Sequence, residues 1–137
     1  MRFALLVTAA LFVAGAAQAR VTVTDAVIRP APAGAPVTAA YMTLRNTGPK
    51  PVALTGASCT CATEVTAHES SSEGGVMRMR AAPRVTIPPH GVVTFKPGGL
   101  HLMAMGLERP LKAGDRTTMR LSFDGAPAQS VRFTVSR

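Results

Sequence analysis

Tryptophan is absent from the 137 residues, and aromatic side chains make up only 4% of them. Such a chain has no obvious platform on which nucleic-acid bases could stack. Acidic residues are scarce as well: 7 Asp and Glu stand against 15 Lys and Arg, a formal net charge of +8. A basic balance raises nucleic acid as a partner, yet the charges are scattered singly rather than gathered in a run. The sequence therefore argues against nucleic acid and leaves an anionic membrane surface or an acidic protein to account for the charge. No phosphate-cradling glycine loop, catalytic triad, suggestive carboxylate pair or zinc-type cluster is present, so no enzyme class is indicated.

Long hydrophobic runs are also missing, except at the amino terminus. There Arg2 precedes an apolar stretch from Phe3 to Ala17, and Ala17-Gln18-Ala19 fits an A-x-A cleavage site. Residues 1–19 read as a secretory signal peptide, with a retained anchor as the alternative. The run is short for a span and no second one follows, so the mature chain is expected to have no transmembrane segment. Residues 20–137 then form one domain, carrying a net charge of +7 once Arg2 is removed from the +8 of the whole chain. That length can bury a modest core without staples, and a monomer is expected.

Cysteine is limited to Cys59 and Cys61. Export places them in an oxidising compartment. On a straight strand, residues i and i+2 lie about 6.6–6.8 Å apart, at the edge of disulfide reach, so a bond between them needs a turned backbone.

What the chain has is alternation. Val21 and Val23 alternate with Thr22 and Thr24, Met42 and Leu44 with Thr43 and Arg45, and Met119, Leu121 and Phe123 with Thr118, Arg120 and Ser122. Val131, Phe133 and Val135 repeat the pattern, and Val92-Val93-Thr94-Phe95 is a further apolar stretch. A period of two with one apolar face marks half-buried antiparallel strands. Breakers at 30–36, 46–51, 88–89, 97–99, 114–115 and 125–127 separate them. The expected fold is an all-β antiparallel sandwich of about seven to nine strands. In that pattern Met42 and Met119 belong to the core, and His90 to a turn.

Two segments do not fit a plain core. After the turn Pro97-Gly98-Gly99, an extended chain puts His101, Met103 and Met105 on one face and Leu102 and Ala104 on the other. His101 and Met103 can then chelate one ion from a single strand; the plainer alternative is core methionines beside a rim histidine. Upstream, alternation places Glu64, Thr66 and His68 on a polar face, with His68 expected at a strand end before a loop over 69–75. Met77 and Met79 share the next face, opposite Val76, Arg78 and Arg80. Thioether and imidazole donors suit soft monovalent copper, Cu(I), and thioethers need no deprotonation.

The spacing His68, ten residues, Met79, twenty-one residues, His101, one residue, Met103 resembles the H-x10-M-x21-H-x-M signature of the periplasmic copper chaperones called PCu(A)C. The stretches 21–26, 40–46, 74–80, 96–103 and 105–107 resemble that family too, so the likeness spans essentially the whole mature domain. The resemblance implies a cupredoxin-like (Ig-like) β-sandwich holding one Cu(I) near one end through His68, Met79, His101 and Met103. It is this family spacing that chooses Met79 over Met77. It also implies a non-enzymatic, periplasmic carrier that delivers copper to the dinuclear copper centre of cytochrome c oxidase. The acceptor would be the oxidase's subunit II or an assembly factor.

The chain departs from the family pattern in three places. Glu69 and Ser70 to Ser72 follow the first histidine, where many members have another methionine, and Val27 replaces a common aromatic residue. Cys59-Thr60-Cys61 stands where small residues are usual. This pair could be a second copper site, a thiol–disulfide redox pair or a structural disulfide. Two other functions therefore stay in view, a thiol–disulfide redox protein and a cupredoxin-like electron carrier. The second would need a cysteine in the His101 loop, which is not there.

Overall fold

The computed structural model describes residues 20–32 and 34–137; the expected signal peptide, 1–19, lies outside the described residues. Ten strands follow one another: β1 (Val21–Ile28), β2 (Val37–Asn46), β3 (Val52–Cys59), β4 (Ala62–Glu73), β5 (Val76–Ala81), β6 (Val85–Ile87), β7 (Val92–Phe95), β8 (Leu100–Leu107), β9 (Arg116–Asp124) and β10 (Gln129–Val135). The described residues contain no helix, and hence none long and apolar enough to cross a membrane. All-β architecture is what the alternation indicated.

The strands form one sheet in the order β5-β4-β8-β2-β1-β10-β9-β3-β6, with β7 on β2. A further pairing of β3 with β4, through Ala57 and Val65, joins the two ends of that order and closes it into a barrel. Every pairing is antiparallel except β1 with β10, where Val27 faces Thr134 and Ile28 faces Val135. A bulge in β1 at Asp25, whose φ is 54°, shifts the register against β2. The ten strands exceed the expected number by one; β6, with three residues, is too short for a period-two pattern to declare itself, whereas β7 is the apolar stretch Val92–Phe95 that the sequence offered.

The inward faces carry the alternating residues of the sequence. Ile28, Met42, Leu44, Phe95, Leu102, Met119, Leu121 and Phe133 are all essentially inaccessible to water. Each such side chain, fully buried, stabilises the fold by about 1.5–3 kcal/mol relative to exposure. Asn46, at 0% exposure, is the polar exception: its Nδ2 donates to the carbonyls of Lys50 (2.7 Å) and Ile87 (3.2 Å), and its Oδ1 accepts from Gly48 N–H (2.9 Å). It ties the end of β2 to the turn before β3 and to the last residue of β6.

One sequence expectation fails here. Residues 69–73 are strand, not loop: β4 continues past His68 and pairs with β5, Ser70 against Met79 and Ser72 against Met77. Only Gly74 and Gly75 turn the chain, both with positive φ (58° and 79°), the two-residue hairpin geometry that glycine permits. Serines and glutamates carry little strand signal of their own, and it is the backbone pairing with β5 that extends them. His68 therefore sits in mid-strand.

Candidate metal centre

β8 is held between β4 and β2, and its inward side chains Leu102 and Ala104 are both 0% exposed. Strand alternation then turns His101, Met103 and Met105 to the outer face. Across the ladder to β4, His68 is opposite His101, Thr66 opposite Met103, and Glu64 opposite Met105. The β4–β5 hairpin brings Met79 beside Ser70, one alternation beyond His68. Residues far apart in sequence thus meet because three neighbouring strands share one outer face.

An open groove of about 420 Å³ lies on that face, lined by Met79, His101, Met103, Ser70, Tyr41 and Arg29 among others. Met79 belongs to its wall. Met77, two residues earlier, is outside it and is 68% exposed. His68 flanks the groove, with its ring stacked near His101 at a centroid distance of 6.1 Å and an interplanar angle of 22°. Met105 is half-buried beside Glu64 and Val37, outside the groove lining.

His101 is 6% exposed and its ring is fixed from behind. Its Nδ1–H donates to the carbonyl of Gly99 at 3.0 Å, and the same carbonyl accepts the N–H of Ser70 from β4 at 3.1 Å. A carbonyl can only accept, so Nδ1 carries the hydrogen and Nε2 keeps its lone pair for a metal. The turn that places Gly99 is built by Pro97 and Gly98, the latter at φ 80°, with Lys96 N–H closing on the Leu100 carbonyl. His68 is held at Nε2 by the Thr66 hydroxyl, 2.9 Å away. Imidazole nitrogens sit about 2 Å from a bound ion, so two rings on one ion have centroids at most roughly 6 Å apart. The observed separation matches that reach, and the near-parallel planes require one ring to turn for both nitrogens to aim at a common point.

The donor set is soft and neutral. No carboxylate lines the groove, and among the described residues no group of three or more His, Cys, Asp or Glu is gathered anywhere. An ion held here must take thioether sulfur as well as imidazole, the combination suited to copper in its lower oxidation state. Cys59 and Cys61 are not part of this face. They are joined as a disulfide at the β3–β4 turn, at the far end of the β4–β8 ladder from His68. Neither can supply a thiolate to His101, which removes the cupredoxin electron-carrier geometry.

Arg29 and Tyr41 escaped the sequence reading. The Arg29 guanidinium lies over the Tyr41 ring, 5.4 Å from its centroid, and both form a wall of the groove. The signal was present: Tyr41 falls out of phase with the buried Ala40, Met42 and Leu44, so it faces outward from β2.

Residues 21–135 match the family model described as "Putative lipoprotein LpqE-like". A curated relative, the "Putative lipoprotein Lxx21020" of Leifsonia xyli, is 33% identical over 104 residues. The match takes in 75% of this chain and 63% of that protein's length. Among solved structures, the copper-bound PCuAC domain of PmoF2 superposes with a TM-score of 0.72 at 21% identity, over 85% of this chain and 92% of that one, a likeness of fold. The Cu(I) form of DR1885 from Deinococcus radiodurans superposes with a TM-score of 0.70 at 37% identity, over 90% of this chain and 83% of that one.

Proposed function

The chain belongs to the LpqE-like family of PCuAC domains, and from that premise we propose that it is an exported Cu(I) metallochaperone using His68, Met79, His101 and Met103. The observation that carries the reading is the meeting of Met79, His101 and Met103 on one groove with His68 beside them. Copper is the cargo. Two imidazoles and two thioethers bind it without releasing protons from thiols, so loading does not depend on thiolate formation. An open groove suits release as well as capture, because an incoming acceptor ligand can reach the ion before the last donor leaves.

The work of the chain's own residues is to orient and to shield. Gly99 fixes the His101 tautomer, the β4–β8 register sets the two rings opposite each other, and Tyr41 and Arg29 wall the groove. The acceptor we propose is the dinuclear copper centre of cytochrome c oxidase, reached directly at subunit II or through an assembly factor, in the periplasm. The Cu(I) form of DR1885, at 37% identity, supports the oxidation state.

The test is an anaerobic Cu(I) titration against a chromophoric chelator with the wild type, Met79→Ala/His101→Ala and Cys59→Ser/Cys61→Ser. One tight equivalent, lost in the first variant and kept in the second, is the expected result. Retention in the first variant and loss in the second would move copper to the cysteines and overturn the site.

A further inference from the structure

The copper reading makes no use of Cys59 and Cys61, and their surroundings are unlike those of an inert staple. A disulfide that closes a loop across one intervening residue removes little entropy from the unfolded chain, so it adds little stability by that route. The two cysteines also differ in burial. Cys61 is 0% exposed, whereas Cys59 is partly open to solvent.

The sulfur of Cys59 is the one that receives hydrogen bonds. Cys61 N–H donates to Cys59 Sγ at 3.1 Å. The Thr117 hydroxyl lies 3.4 Å from the same sulfur, and because a bonded sulfur has no hydrogen, the hydroxyl is the donor. Arg109 Nη2 in turn donates to Thr117 Oγ1 at 3.3 Å, bringing a positive charge behind that hydroxyl. Two donors, one backed by a cation, thus gather on the Cys59 sulfur, while Cys61 is fully buried. A structural bond has no use for this asymmetry, whereas in exchange it directs attack to one sulfur.

We propose that Cys59 and Cys61 form a thiol–disulfide exchange site, with Cys59 the sulfur that bonds to an external protein dithiol. The partner's thiolate attacks Cys59 Sγ, the Cys59–Cys61 bond breaks, and Cys61 leaves and takes up a proton. The partner's second thiol, deprotonated, then attacks its own sulfur in the mixed disulfide. Cys59 is released as a thiolate held by Cys61 N–H and Thr117 O–H. Two electrons pass from the partner, which becomes a disulfide, to this chain, which becomes a dithiol; the reverse sequence reduces a partner disulfide. Cys61 lies seven residues before His68, about 23 Å at strand rise, so the exchange is separate from copper binding.

The experiment uses the native protein without copper. It is equilibrated in mixtures of reduced and oxidised dithiothreitol, quenched by alkylation and weighed by mass spectrometry. A reversible two-electron transition without denaturant is expected, and failure of excess dithiothreitol to open the bond in the folded protein would overturn the proposal. Next, Cys61→Ser and Cys59→Ser are mixed with an aromatic disulfide. Cys61→Ser, which keeps Cys59, should form the mixed disulfide at least about tenfold faster. Equal rates, or a faster Cys59→Ser, would sink the assignment. If either variant fails to fold by circular dichroism, competitive alkylation of the reduced wild type, mapped by peptide mass, reads the same ratio.

Discussion

His68 and His101 are register partners across the β4–β8 ladder, and their rings stack with centroids 6.1 Å apart. Their relative position is therefore fixed by backbone pairing rather than by side-chain contacts alone. Two ligands on one ion must be energetically coupled, so a double-mutant cycle of His68→Ala and His101→Ala should show a coupling of about 1–3 kcal/mol in Cu(I) affinity. Competition with a chromophoric chelator measures it. Additive losses would place the two rings on different ions.

The methionines divide by position. Met103 lines the groove and Met105 does not, although both lie on the outer face of β8. Met103→Leu should weaken Cu(I) binding roughly tenfold, about 1.4 kcal/mol, with the fold intact, and Met105→Leu should leave the affinity unchanged. Equal effects of the two substitutions would mean that the groove is not where copper sits.

Met77 is 68% exposed, on the same face of the hairpin as Met79 and nearer its tip. On the proposed site, an exposed thioether outside the groove would touch copper only when a partner approaches. Met77→Leu is expected to leave equilibrium affinity intact while slowing Cu(I) transfer to an acceptor a few-fold, on the order of 1 kcal/mol in barrier. Stopped-flow transfer to a chelating acceptor reads this directly, and an unchanged rate would remove Met77 from the handover.

Much of this was legible in the chain. The phase of Met42, Leu44, Met119, Leu121 and Phe133 announced the inward faces, because a half-buried strand exposes every second residue. The outer-face grouping of His101 with Met103 followed from the same rule. The face of His68, shared with Glu64 and Thr66, followed too, but its mid-strand position did not. Its strand runs on through Ser70, Ser71 and Ser72 only because β5 folds back on it, a pairing that depends on Gly74 and Gly75 rather than on the serines. The parallel pairing of β1 with β10 and the closure of β3 on β4 were equally silent, since both join segments remote in sequence and leave no local pattern. Arg29 and Tyr41 meet through a side-chain contact that periodicity does not encode.

Asn46 supports the fold from within. Asn46→Leu would leave the Lys50 and Ile87 carbonyls and the Gly48 N–H without their side-chain partner, in a site at 0% exposure. Unsatisfied buried groups cost about 1–3 kcal/mol each, so a loss of roughly 3 kcal/mol or more is expected in urea unfolding. Copper affinity of the folded fraction should not change, because Asn46 lies at the opposite end of β2 from Val37 and Ala39, which pair with the methionine end of β8.

Gly106 joins stability to the proposed metal site. It sits near the end of β8 at φ 66°, opposite Thr63, whose hydroxyl donates to the Met105 carbonyl at 2.9 Å. A Cβ at this position would run into the Thr63 hydroxyl, and the backbone conformation is one that L side chains rarely adopt. Gly106→Ala must therefore either push β4 away from β8 or shift the strand end, at a cost of about 1–3 kcal/mol. Both responses disturb the ladder that sets Thr66 against Met103 and His68 against His101. The variant should unfold at lower urea and also bind Cu(I) more weakly, whereas Gly106→Ala combined with Thr63→Ala, which removes the obstructing hydroxyl, should recover part of both. Loss of stability with full copper affinity would show that the strain is absorbed before it reaches His101.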